Sequence, residues 1–480
     1  MTESIADRRS DLTGRHCSPE PTTPPVPTRL AALDVLRGVA ILGTLGTNIW
    51  ILTDPAGLVG YVAALGEPTR GGMWTERVLQ QVTQGKFLGL LTIMFGIGLA
   101  IQQQSATRAG RRWPGSYPWR AALLFVDGLL NFVFVAEFDV LMGYAVTGLV
   151  VAFILGTGQR AQLRWLIGAA GVHLTMLTLI GFALALAPRR NPAHRQPLNP
   201  NPYTDGSLWD LANFRLTNAG LFRLEAVFVF ALSVALFLTG ARLFRSGLFQ
   251  PEGARIRLRL TTVGLGVAAP IDLAVGIAGG GDLILFTRYG SAPFVALGML
   301  SVVAEWYVRH PRVGFVGRRC TEIGRTALSC YILQNLTASI LCYGWGFGLA
   351  AHVSPDNRVP FTLGVYLLVA LIISLAAHLW LRRFERGPVE WLWHVSYRTL
   401  AGQSRHRPIG ARLLDHGTRA GAVVMSVRGD GTALPDLSRP AARRSTARSG
   451  ERRGRRQLPL CRDARRPVSP AAHADALGVG

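Results

Sequence analysis

Long apolar runs recur from residue 32 to residue 381, and no other feature restricts the folding of this chain as strongly. A helix of about 17 to 25 apolar residues crosses the roughly 30 Å hydrocarbon layer of a bilayer. In lipid, only helices and closed barrels satisfy all their backbone polar groups. Runs are predicted near 32–53, 86–103, 119–136, 138–156, 165–187, 223–244, 259–279, 288–308, 323–349 and 361–381. With 49% hydrophobic and only 16% charged residues in 480 positions, the prediction is an all-α polytopic integral membrane bundle of about ten transmembrane helices. Only Glu137 and Asp139 separate the third and fourth runs, which read as two spans or as one tight helical hairpin.

The formal charge of +23 is large enough to raise nucleic-acid binding as a function class. Its placement argues against that class: the basic residues lie mostly in short loops between apolar runs and in the last stretch of the chain, where cytoplasmic segments face anionic lipid. Membrane lipid is the expected partner, and nucleic acid is not. The basic loops at 108–112, 160–164, 242–259 and 309–319 fall on one side. Glu137 with Asp139, a Pro/Asn-rich loop at 188–222, a GGGD turn at 279–282 and the loop 351–358 fall on the other. This alternation predicts that both termini are cytoplasmic.

Three regions follow: a polar, Pro-rich arm over 1–29, a transmembrane domain over 30–398, and a basic tail over 399–480 too poor in apolar residues to fold alone. The tail reads as a disordered segment held near anionic lipid or as out-of-frame translation of a GC-rich gene. The loop 188–222 reads as a loose connector or as a cap over an external cavity. Five scattered cysteines with no CxxC indicate neither a disulfide framework nor a zinc site, so no metal and no resident cofactor are expected.

Ionisable residues inside spans are costly and therefore become functional candidates. Asp34 and Arg37 are three apart on one helix face and read as an ion pair, a snorkelling end or a substrate anchor. Lys86, the single lysine in the chain, opens the second span and is placed to meet a phosphate or carboxylate, or to snorkel. Asp127 and Asn131 lie one turn apart and, with Asp139, are predicted to form a polar cluster opening to the outer side. His173 and His378 are more simply interhelical hydrogen bonders, although His173 remains a candidate base. Glu225, Asp272 and Glu305 complete the acidic residues in or beside spans, and Asp272 follows Pro270 in a Gly-rich run that predicts a kink.

LDVLRGVAILGTLGTNI, beginning at residue 33, resembles the opening helix of the YeiB-like bacterial membrane proteins, the family called domain of unknown function 418. KFLGLLTIMFGIGLAIQ (86–102), GRTALSCYILQNL (324–336) and FERGPVEWLW (384–393) resemble further motifs of that family in the same order. The resemblance implies a bacterial plasma membrane protein and a distant relation to transmembrane acyltransferases, which move an acyl group from a cytoplasmic donor such as acetyl-CoA to a sugar acceptor. Those O-acyltransferases carry a histidine where Asn48 stands here. The YeiB-like proteins commonly carry Asn there, and have a histidine, in a pattern GLLHG followed by GDIL, where this chain reads GLLNFVFVAEFDVL.

Asn131 thus occupies the family's histidine position and Asp139 its aspartate position. A carboxamide accepts no proton near neutral pH, so neither Asn48 nor Asn131 is a general base. The leading expectation is acyl transfer from an acyl-CoA donor to an extracytoplasmic, glycan or lipid-linked acceptor. In it, Asp34, Arg37, Asn48 and Lys86 bind substrate and Asp127, Asn131, Asp139 or His173 carries the chemistry. The alternative is a permease for a small anionic or amphipathic solute.

Overall fold

The computed structural model describes residues 31–64, 74–186, 198–278, 283–310 and 312–400, and every regular element among them is helical. The expectations for the N-terminal arm, the GGGD turn and the basic tail beyond 400 fall outside the described residues. In chain order the helices are α1 (Ala31–Leu52), α2 (Gly57–Ala64), α3 (Trp74–Thr83), α4 (Lys86–Arg108), α5 (Tyr117–Phe134), α6 (Leu141–Leu155) and α7 (Gln159–Leu186). They continue with α8 (Leu208–Thr217), α9 (Ala219–Phe222), α10 (Leu224–Phe228), α11 (Phe230–Arg245), α12 (Ala254–Thr261) and α13 (Ala269–Ala278). The last six are α14 (Ile284–Phe286), α15 (Ala292–Arg309), α16 (Phe315–Arg325), α17 (Ala327–Cys342), α18 (Arg358–Leu381) and α19 (Pro388–Leu400).

The all-α membrane bundle is as predicted, but fewer helices meet the length and apolarity of a span than the ten expected. Six segments among the described residues do so: Ala31–Leu52, Trp74–Arg108, Gln159–Leu186, Pro251–Ala278, Ile284–Arg309 and Pro355–Leu381. The pair Ala219–Phe228 and Phe230–Arg245, bent by 42°, makes a seventh if it crosses as one span. The other three predicted runs hold α5, α6 and α17. The last two are 15 and 16 residues long, only about 23 Å each at 1.5 Å per residue.

Burial sorts the helices into an inner set and a lipid-facing set. The apolar windows of α1 and of Trp74–Arg108 are 72% buried, whereas those of α7 and of Pro251–Ala278 are 11% buried. Apolar residues line both the buried and the exposed faces of α7 and α18, as on α18 where Val365, Val369 and Ile373 face inward and Leu367, Leu371 and Leu375 are exposed, which fits a lipid solvent. The inner helices instead approach closely through glycine. A Cβ on Gly38 of α1 would lie 2.0 Å from the carbonyl oxygen of Cys320, and one on Gly324 of α16 would lie 1.8 Å from that of Asp34. Gly96 of α4 and Gly240 of α11 meet Phe237 and Ile93 main chain in the same way. Without a hydrophobic force between helices in lipid, such small-residue contacts supply the van der Waals packing that holds them.

Three of the family-like stretches meet at the end of the bundle where α1 begins. Leu328 and Ser329 at the start of α17 donate their amides to Glu390 of α19 at 2.8 and 3.2 Å, so Glu390 satisfies amides the helix start leaves open. Arg325 donates to the carbonyl of Glu385 at 2.9 Å. The family-like motif residues at this end are therefore joints between α1, α16, α17 and α19.

The described part of the polar loop, 198–222, is anchored rather than loose. Arg215 is 0% exposed; it ion-pairs with Glu137 at 3.1 Å and donates to the carbonyls of Val133 and Val135, each at 3.1 Å. Tyr203 donates to the same Glu137 at 3.0 Å. Four hydrogen bonds from two residues of this segment thus tie it to the end of α5 and the α5–α6 turn.

Candidate functional site

Beside that segment, with Phe222 of α9 on its wall, lies a cavity of about 260 Å³. It sits at the end of the bundle where α1 finishes and α4 starts. α1 presents Thr44, Thr47 and Asn48 to it, spaced three and four apart on one face; α4 adds Thr92 and α6 adds Tyr144 and Thr147. The hydroxyls of Thr92 and Tyr144 bond each other at 2.7 Å. Asn48 donates its amide to Asn335 of α17 at 3.3 Å, so this position of the opening helix bonds a signature residue of α17.

Asp139, in the turn between α5 and α6, also lines the cavity. Its Oδ1 accepts from the side-chain amide of Asn131 at 2.8 Å, and its Oδ2 from the main-chain amide of Met142 at 3.1 Å. Burial pushes the Asp139 carboxyl up to about 6, against the opposing pull of the Met142 and Asn131 hydrogen bonds and the Arg223 charge. Asp127 does not join this pair: it accepts from the indole nitrogen of Trp393 on α19.

A second polar group lies across the cavity. Arg288, in a π-helical turn at Thr287–Ser291, pairs with Glu225 of α10 at 2.8 Å, and the Tyr289 hydroxyl donates to the same carboxylate at 2.6 Å. Such single turns of π-helix often redirect side chains at functional sites. His173 stands behind this group, with Nε2 3.1 Å from the Tyr289 carbonyl oxygen, and does not line the cavity.

Lys86 is buried and pairs with Asp272, which also accepts from Gln81 at 2.8 Å and Ser291 at 2.6 Å. It therefore lies inside the protein against a carboxylate of α13. Seven residues of π-helix, Thr262–Ala268, precede Pro270 in that helix. Asp34 and Arg37 lie 3.3 Å apart at the other end of α1, with the arginine side chain 34% exposed. His378 pairs with Glu322 at 3.1 Å at that same end. Among the described residues no group of three His, Cys, Asp or Glu side chains is placed to hold a metal ion.

Arg223 was not singled out by sequence reasoning. Its Nη1 donates to the carbonyl of Asp139 at 3.0 Å and its Nη2 to that of Glu137, with the guanidinium 4.1 Å from the ring centre of Phe132. A signal was present: Arg215 and Arg223 flank the sixth apolar run on the side expected to be poor in arginine.

A helical bundle with spanning helices and polar groups converging on an internal cavity defines a polytopic helical membrane protein. Residues 243–399 match the family described as "Protein of unknown function (DUF418)". The chain is 27% identical over 409 residues to the uncharacterized protein YxaH of Bacillus subtilis (strain 168), covering 78% of this chain and 97% of that one. It is 29% identical over 397 residues to the uncharacterized protein YeiB of Escherichia coli (strain K12), with the same coverage of 78% and 97%. The chain is thus similar over most of its length to YeiB-like proteins, and over residues 243–399 to the DUF418 family.

Proposed function

We propose that this protein is an acyltransferase-like enzyme of the bacterial plasma membrane, with the cavity as acceptor site and Asp139 as proton acceptor. The carrying observation is Asp139 on the cavity wall, its carboxylate held from behind by the buried Asn131 amide. By its resemblance to the YeiB-like pattern, Asn131 stands where relatives place a histidine, so the same geometry in them gives a His–Asp pair. Here the carboxyl itself, raised to about 6, is suited to accept a proton near neutral pH.

In the reaction, an acceptor hydroxyl oxygen bonds to the acyl carbon as the thioester C–S bond breaks. The hydroxyl proton passes to the Asp139 carboxylate and from there to the leaving thiolate. Arg37 lies about 16 Å from Asn48 along α1, at 1.5 Å per residue. In the orientation proposed from the basic loops, that places Arg37 at the cytoplasmic end, where it meets the phosphates of acyl-CoA, and the cavity in the outer half.

The test uses purified full chain in nanodiscs with radiolabelled acetyl-CoA and a bacterial membrane lipid extract. Label is expected in an extractable lipid or glycolipid, and Asp139→Asn is expected to abolish transfer while the protein melts as a folded species. No transfer and no donor binding by the wild type, together with solute flux in proteoliposomes, would replace this reading with the permease.

A further inference from the structure

Resting on the reading of the cavity as an acceptor site, we infer that its ligand is a single-chain amphiphile with an oxoanion head, and that Arg223 holds that head. Apart from tyrosines, the ionisable side chains on the cavity wall are Asp139, Arg223, Glu225 and Arg288. Arg288 is neutralised by Glu225 at 2.8 Å. Arg223 makes no such contact pair among the described residues: its two Nη donors go to main-chain carbonyls, and the nearby carboxylates of Asp139 and Glu225 are held by other groups.

The Asp139 carboxylate oxygens are engaged by Asn131 and Met142, while Arg223 contacts only the main-chain oxygen of that residue. The Nε of Arg223 and the Nε of Arg288 are both buried with no hydrogen-bond partner. A buried guanidinium N–H with no acceptor is costly, and a ligand oxoanion supplies the acceptor. Guanidinium also matches the planar or tetrahedral oxygens of carboxylate and phosphate better than an ammonium does.

The rest of the wall suits an alkyl chain: Leu58, Val62, Phe138, Phe230, Ile284 and Leu285 all line the cavity. Val62 and Phe230 are also 57% and 36% exposed, so the wall is open at those two side chains. A ligand with an apolar chain enters there from the lipid with its head directed to Arg223.

The test measures binding of radiolabelled dodecyl phosphate to the full chain in phosphatidylcholine nanodiscs, with no acyl donor present. Dodecanoate is expected to compete, and dodecanol and inorganic phosphate each to compete at least about tenfold more weakly, the worth of one charge-assisted contact or of the buried chain. Arg223→Gln is expected to lower affinity by at least about tenfold, and Arg255→Gln, at an exposed arginine on α12, to bind as wild type.

Equal competition by dodecanol would overturn the oxoanion head, and equal competition by inorganic phosphate would overturn the amphiphile. Wild-type affinity in Arg223→Gln would overturn the role of that residue. If Arg223→Gln does not fold, the wild-type selectivity decides alone. Selective binding without acyl transfer would count against the enzyme reading only, and transfer without this selectivity against the present inference only.

Discussion

Asp139 shows how one side chain's surroundings become a pH dependence. Its folded carboxyl lies at about 6 against an ordinary 3.8. The fold therefore binds the proton more tightly than the unfolded chain does between those values. Stability is expected to fall as pH rises from about 4 to about 6 and then to level off, because the ionised form carries the burial cost. Asp139→Asn should flatten that slope in thermal melts at a series of pH values; an unchanged slope would show that another group titrates. Transfer activity should run the opposite way, rising through about pH 6 as the carboxylate forms, and Asn131→His should shift that rise. The Asn131–Asp139 pair was legible because both residues fall in a recognisable family stretch. Arg223 was not, because nothing in a linear chain shows that its guanidinium turns inward onto carbonyls of the α5–α6 turn.

Two joints make predictions at the scale of elements. The α1–α16 crossing leaves no room at Gly38 or Gly324, and the obstructing atoms are backbone, which cannot swing aside. Gly324→Ala is expected to cost about 1 to 3 kcal/mol or to prevent folding, whereas Gly143→Ala, with open space around it, should melt like wild type. The second joint is the Arg215–Glu137 pair, which ties segment 198–222 to the α5–α6 turn. Arg215→Met leaves a fully buried carboxylate unpaired and should destabilise by about 3 to 5 kcal/mol, with much of that recovered in the double variant carrying Glu137→Gln. Equal melting of wild type and Arg215→Met would show that the segment does not depend on this pair. Sequence reasoning anticipated both a connector and a cap for 188–222, and it treated Glu137 only as a break between runs. The anchoring rests on Arg215, whose partners are 78 to 82 positions away.

For the whole molecule, the proposed orientation predicts opposite labelling of two exposed positions. A cysteine replacing Asp205 should react with a membrane-impermeant maleimide on intact cells, and one replacing Arg255 only after permeabilisation; the reverse pattern would invert the topology. The helical class, though not the count of ten spans, was readable from composition and run length, because lipid forces each backbone group to be satisfied within its own helix. That requirement is local, so the sequence alone determines it. Which helices form the inner set, that Lys86 meets Asp272, that Asn48 meets Asn335, and that Asp139, Arg223 and Arg288 surround one cavity were decided only in the tertiary structure. Those contacts join positions far apart in the chain, and they depend on how closely helices approach through a few glycines, a property of packing that no single segment contains.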